Sequence, residues 1–465
     1  MLREIAQSFV YYASILFVIY LVVYATYSFL STTVGAFILR YRDKMRKLSN
    51  EMHYVYVPIS IILPAYNESV TILKSIESLL ELDYHMYEIV VVDDGSKDDT
   101  AMHIINEYNM IRYDRPVRIQ IKCQPVIEIY EAQLGHVKLT LIRKENGGKA
   151  DALNMGINAC RFPYFICMDA DSHLQRDSLK KLIEPVLGDD KTVSVGGVVL
   201  LSQCVEFTNG MATSFNLPKN WLVSMQAVEY DRSFLGSRIL MDMFNGNLIV
   251  SGAFGLFKKS IVINAGGYEA GSLGEDMEIV MRMHIYCQSN NIPYRMRYIP
   301  TAVCFTQAPT TVKDISTQRR RWHLGLFQSL ITHRRVFLNY RFGPIGFISY
   351  AYYLFYELLS PYIELLGTAV IITAFYFGLL NFNFMVVFFA LYAIYGSVLS
   401  LTIFTQHIYM QDFKLSTKDL MKAMLLCVLE LVVFRWLLVY IRFMSLFGYK
   451  RKKHTWGEIT RVKTE

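Results

Sequence analysis

Charge is scarce in this chain. Asp, Glu, Lys and Arg make up 19% of its 465 residues against 53% hydrophobic ones, a balance that excludes an ordinary soluble protein of this length and fits one with membrane spans. Cysteine is sparse as well. The seven cysteines (Cys123, Cys160, Cys167, Cys204, Cys287, Cys304 and Cys427) share no short paired spacing, which excludes a disulfide framework or a cysteine-rich zinc site and fits a reduced compartment. The formal charge of +7 gathers at the edges of apolar runs, not among stacking aromatics on a soluble face. It therefore reads as membrane topology and phospholipid contact, with no nucleic acid partner.

The apolar runs give the frame. No charged residue falls between Phe9 and Leu39, a stretch long enough to cross a bilayer as a tilted helix. Its length and its lack of a small-residue cleavage site predict a signal anchor, not a cleaved signal peptide. Arg40, Arg42, Lys44, Arg46 and Lys47 follow, so the positive-inside rule puts the next segment in the cytoplasm and the N-terminus outside. Residues 312–339 are amphipathic and basic, as an interfacial helix would be. Three apolar blocks follow at roughly 345–380, 384–405 and 420–447, and then the basic run from Lys450 to Lys453. A cytoplasmic C-terminus then needs an even number of crossings after the cytoplasmic domain. Either the first block breaks near Pro361 into two spans, which is the preferred reading, or the third bends near Glu430 and Arg435 and re-enters. Glu357, Glu364, Glu430 and Arg435 lie inside these blocks. They read equally as interfacial pairs, for example Glu430 with Arg435, or as the lining of a polar path.

Between the frames the chain has an α/β rhythm. Short β-branched runs at 60–64, 88–92, 139–142 and 164–168 read as buried parallel strands, with a helix over 70–80 after the first. The second run delivers Asp93-Asp94-Gly95-Ser96 and the fourth Asp169-Ala170-Asp171. Open α/β sheets bind ligands at the carboxyl ends of their strands, so carboxylates repeated there suggest a nucleotide or metal site. Asp169 and Asp171 flank one small residue and repel each other unless a cation or hydrogen bonds compensate. Gly147-Gly148-Lys149 precedes a helix expected to begin near Asp151, whose positive end would face a diphosphate. The stretch from Arg112 to Tyr130 exceeds a minimal core and is expected to form an added hairpin.

Six motifs occur in order: Pro64-Ala65-Tyr66-Asn67-Glu68, Val92-Asp93-Asp94-Gly95-Ser96, Gly147 to Asn154, Asp169-Ala170-Asp171, Gly274-Glu275-Asp276 and Gln318-Arg319-Arg320-Arg321-Trp322. In this the chain resembles the processive family-2 glycosyltransferases, the poly-N-acetylglucosamine, hyaluronan, chitin and cellulose synthases. The resemblance implies an α/β fold class, a GT-A nucleotide-sugar-binding domain inserted between N-terminal and C-terminal transmembrane helices. It implies a transmembrane helix at 1–40, a cytoplasmic catalytic domain at 55–310, an interfacial helix region at 311–341, a transmembrane channel region at 342–447 and a basic cytoplasmic tail at 448–465. The location implied is a multi-pass protein of the plasma membrane.

The same resemblance assigns roles. Asp276 would be the catalytic base, with Glu275 its neighbour to test. Asp94 would meet the uracil ring, and Lys149, Asp169, Gln318 and Arg321 the nucleotide sugar, a guanidinium being suited to phosphate as a planar fork. Asp171 would hold Mg2+ or Mn2+, hard cations that suit carboxylate and diphosphate oxygens. Ser251, Gly252 and Trp322 would face the acceptor, the indole offering a flat apolar face to a sugar ring. The implied partners are a UDP-sugar donor, a growing polysaccharide and the lipid bilayer; no oligomeric state is implied. Two departures stand out. Gln307 occupies a place where many relatives have glutamate, and no cyclic-dinucleotide arginine cluster follows the membrane region. The competing readings are a non-processive transferase acting on a lipid acceptor and a non-catalytic transporter or carbohydrate-binding protein on a transferase scaffold. A nucleotidyltransferase on the same sheet would leave the Gln318 to Trp322 motif unexplained.

Overall fold

A computed structural model of the chain describes residues 1–48 and 56–447. The basic tail expected at 448–465 lies outside them.

The centre is a ten-stranded sheet ordered β3-β4-β5-β2-β1-β6-β11-β8-β12-β7. Its strands are β1 (Ile59–Ala65), β2 (Tyr87–Asp93), β3 (Ile111–Arg112), β4 (Val126–Leu134), β5 (Val137–Lys144), β6 (Tyr164–Cys167), β7 (His173–Leu174), β8 (Thr192–Leu201), β11 (Gly255–Lys258) and β12 (Arg295–Thr306); β9 (Val205–Thr208) and β10 (Met211–Phe215) form a separate hairpin. β1 pairs in parallel with β2 and β6, and β2 with β5. The four runs read from the sequence as strands are therefore these four, and their mutual parallel order follows the expectation.

Alternation along the strands explains why the sheet is covered twice. Ile61, Leu63, Ile89, Val91, Leu139, Leu141 and Ile166 enter the core on one face, and Ile62, Val90, Val92, Ile142, Phe165 and Cys167 that on the other. Each such burial contributes about 1.5–3 kcal/mol. The first core continues without a break into the C-terminal apolar helices, since Ile403, Phe404, Leu426 and Cys427 belong to it. The expected added hairpin takes a different form. β4 turns into β5 through Gly135, whose φ is +60°, and β3 then adds to β4, so the extra chain extends the sheet edge as antiparallel strands.

Among the described residues three helices are long and apolar enough to cross a membrane, Arg3–Tyr41, Phe382–Met410 and Thr417–Ser445. The first apolar block does break beside Pro361, where Ile345–Leu358 and Ser360–Tyr376 meet at 54°. Neither arm passes as a span alone; the second has only 17 residues. By length and composition the pair has the form of one broken span or a re-entrant loop, beside the two crossings expected from this block. The pairing of Glu430 with Arg435 is corrected. They sit five residues apart within a π-helical stretch and its continuation, and each takes another partner. Arg232 donates to both oxygens of Glu430 at 2.7 and 3.0 Å, and Arg435 to both of Glu364 at 2.6 and 3.2 Å.

Candidate active site

The carboxyl edge of the sheet gathers most of the residues singled out from the sequence. β2 ends at Asp93, and Asp94 behind it is buried. Its carboxylate accepts from the backbone N–H of Gly147 at 3.0 Å and of Gly148 at 2.7 Å, and from the Lys144 ammonium. Burial raises the Asp94 pKa, and these donors work against the rise. Lys144 is wholly buried, and at 2.7 Å it also reaches Asp151. The Asp94, Lys144 and Asp151 cluster thus fixes the glycine turn. Gly148 is held at φ +87°, a conformation that favours glycine. The following helix runs from Lys149 to Ala159, two residues earlier than expected, so Lys149 opens it.

Lys149 is the hub of the site. Its Nζ lies 2.6 Å from Asp169 Oδ1 and 3.1 Å from Glu275 Oε1. Burial opposes its charge and the charge of Arg321 does too, but the two carboxylates outweigh both and hold its pKa above the usual lysine range. Asp169 follows β6; Asp171 lies two residues on, with the Ser172 hydroxyl 3.5 Å from its Oδ1. Asp276 stands in the first turn of the Glu275–Ser289 helix. The N–H of Gly252 donates to its Oδ2 at 3.3 Å and that of Met277 to its Oδ1 at 2.9 Å. Burial and the charge of Glu275 raise its pKa to about 6, against the pull of Lys149. Gly252 fills the space between these groups. A Cβ there would stand 3.4 Å from Lys149 Nζ, 3.5 Å from Asp276 Cβ and 3.7 Å from Glu275 Oε1. Ser251 shapes the same turn, its carbonyl accepting from Phe254 N–H.

The remaining motif enters from the side. Gln318, Arg321 and Trp322 lie on the Val312–Thr332 helix, which approaches the loop before Glu275 and Asp276 so closely that a Cβ on Gly325 would be 2.6 Å from Gly274 N, and one on Gly274 2.9 Å from Gly325 Cα. Only two glycines allow that approach. Trp322 is 41% exposed, so a face remains free for a ligand. Its ring centroid is 6.2 Å from that of Tyr230, whose hydroxyl is pushed up to about 12 chiefly by burial, with the charges of Asp171 and Arg321 both felt there. Gln318 Oε1 is buried without a hydrogen-bond partner among the described residues.

The structure thus brings Lys149, Asp169, Glu275, Asp276 and Gly252 into direct contact, with Asp171 and Arg321 within electrostatic reach. Asp94 stands apart, committed to the glycine turn. Lys144, Glu229 and Tyr230 are additions that the motifs did not indicate, and Arg319, which lies within the last motif, carried no assigned role.

The aspartate pair also answers for a metal. Among the described residues no three His, Cys, Asp or Glu side chains form a ready metal cage. Magnesium commonly takes one or two carboxylates, with substrate phosphates and water completing its shell. Asp171 and Asp169 fit a cation shared with a bound diphosphate.

The sheet, its carboxylate edge and the docked arginine helix define a GT-A-like glycosyltransferase fold. Residues 57–325 match the family described as glycosyltransferase like family 2, and the chain belongs to that family. Over 277 residues it is 28% identical to the poly-beta-1,6-N-acetyl-D-glucosamine synthase of Staphylococcus aureus (strain COL), and equally to that of Staphylococcus epidermidis. The match takes in 59% of this chain and 55% of either relative, so the chain aligns with about half the length of the curated relatives it matches. Among solved structures, the mannosyltransferase PcManGT from Pyrobaculum calidifontis, in complex with GDP-Man and Mn2+, superposes with a TM-score of 0.51 at 19% identity. It covers 84% of this chain and 97% of its own. That likeness shows the shared fold.

Proposed function

We propose that the chain is a membrane-embedded, processive, inverting glycosyltransferase. It polymerises a UDP-sugar, UDP-glucose or UDP-N-acetylglucosamine, into a β-linked polysaccharide and passes the product across the membrane. The observation that carries this reading is the placement of Asp276 in the first turn of its helix, held by the Gly252 and Met277 N–H groups, beside the Lys149, Asp169 and Glu275 cluster and near the helix that carries Arg321 and Trp322; burial and the charge of Glu275 raise its pKa to about 6. A base is most useful when its pKa lies near the working pH.

In this reading Asp276 takes the proton of an acceptor hydroxyl as that oxygen attacks the anomeric carbon in line. Inversion of an α-linked donor gives the β linkage. Lys149 and Arg321 set positive charge where the diphosphate departs, fixed before the reaction and so free of reorganisation cost. Asp171, with Asp169 beside it, would hold Mg2+ or Mn2+, which when bound neutralises charge on the diphosphate. Trp322 carries the acceptor sugar on its exposed face. The name of the staphylococcal relatives favours UDP-N-acetylglucosamine as the first donor to test.

The test is to incubate the purified full chain in lipid nanodiscs with each UDP-sugar and Mg2+ or Mn2+, measuring UDP release and product mass. One donor should give long polymer. Products that stop at one or two sugars would overturn processivity, and no UDP release with any donor would overturn the activity.

A further inference from the structure

Arg319, Arg320 and Arg321 are adjacent in sequence, yet they do not share a task. Arg319 is 3% exposed, so it cannot present its charge to a diphosphate. Its guanidinium is paired with Glu229 at 2.5 Å, and its Cζ lies 4.3 Å from the Trp322 ring centroid and 5.7 Å from that of Tyr230. Its Nε is buried with no hydrogen-bond partner among the described residues. A guanidinium stacks on aromatic rings in a way that an ammonium cannot. Glu229 in turn is approached from its other oxygen by Arg442, at 4.0 Å, on the last membrane helix.

We propose that Arg319, clamped by Glu229, is the positioning residue for the Trp322 acceptor platform. The Arg319 plane backs one face of the indole, stops it from turning into the space between the Val312–Thr332 and Trp221–Leu235 helices, and leaves the other face toward the acceptor. The link from Glu229 to Arg442 ties the platform to the membrane helix beyond it. This assignment rests on the reading of Trp322 as a sugar platform, and its test separates the two.

Arg319→Lys keeps the charge and loses the plane, while Glu229→Gln keeps the shape and loses the ion pair. In the full chain in nanodiscs, each should shorten the product at least fivefold while the KM for the UDP-sugar stays within twofold. Combined with Trp322→Ala, neither should shorten it further, because the platform they hold is already gone. Loss of length that adds to that of Trp322→Ala, or a donor KM that rises in step, would overturn the proposal. A second measurement does not depend on polymer. In a chain with Trp221, Trp436 and Trp456 replaced by phenylalanine, acrylamide quenching of the remaining Trp322 should rise about twofold in Arg319→Lys and in Glu229→Gln. Unchanged quenching would overturn the positioning role. Unchanged product length in Trp322→Ala alone would instead overturn the platform reading and leave the quenching result to judge Arg319.

Discussion

Two regions of this molecule hold buried or half-buried charge, and they balance it differently. Where the C-terminal apolar helices pack against one another and against the Trp221–Leu235 helix, two ion pairs close on themselves: Arg232 with Glu430 and Arg435 with Glu364, each guanidinium meeting both oxygens of one carboxylate. At the sheet edge one ammonium, Lys149, serves both Asp169 and Glu275, while Asp276 and Asp171 stand close by. The first arrangement is complete by itself and needs only to stay packed. The second shares one ammonium between two carboxylates, with the charge of Arg321 also felt at Lys149, and charged groups crowded in this way are common where a ligand binds.

The sharpest way to break this contrast is Asp276→Asn. Turnover should fall about 10²- to 10⁴-fold, the usual worth of a general base, as read by UDP release. Stability should not follow it. A carboxyl whose folded pKa is raised from 3.8 to about 6 is favoured in its protonated form by the fold, so its ionisation costs stability fully above about pH 6 and not at all below 3.8. The amide removes that cost, and the melting temperature at pH 7.5 should be unchanged or higher. A variant that melts early and works normally would reverse the reading of this region.

Excess chelator should stop UDP release, and Asp171→Ala should lose activity that ordinary concentrations of Mg2+ or Mn2+ do not restore. Full turnover in chelator would show that these carboxylates await something other than a metal. Glu364→Ala probes the other region. Leaving Arg435 half-buried and unpaired should destabilise the protein by about 3–5 kcal/mol, whereas Glu364→Leu with Arg435→Met should cost much less. Thermal unfolding in nanodiscs decides, and a single variant as stable as the parent would show that the pair carries no packing role. The smallest expected effect is the pH profile. Since Asp276 accepts a proton only when ionised, kcat should drop about tenfold per unit below pH 6. A flat profile down to pH 4.5 would remove Asp276 as the titrating base.

What could be read from the sequence follows the same division. β1, β2, β5 and β6 were legible because β-branched runs buried on both faces leave no other reading, and the acidic motifs at their ends marked the edge where the site lies. β8 was not: Gly196 and Gly197 interrupt a strand whose ten residues are all buried. Lys144 reads as a solvated charge between Arg143 and Glu145, and only the fold reveals that it is enclosed by Asp94 and Asp151. The Arg435–Glu364 and Arg232–Glu430 pairs join residues 71 and 198 positions apart, a distance over which composition and periodicity carry no signal. The break beside Pro361 was visible because proline disrupts a helix locally; whether its arms were long enough to cross was a matter of geometry.

The meeting of Gly274 with Gly325 bears finally on the stride of the reaction. In the proposed reaction the aspartate read as base and the indole read as sugar platform ride on different helices, whose separation is gauged where two bare backbones meet, with no rotamer between them to stretch or yield. On that reading a polymer resting on Trp322 would offer its next hydroxyl to Asp276 only after advancing by one whole sugar. The length of each step would be set by this joint, and the C-terminal apolar helices would have only to let the chain slide.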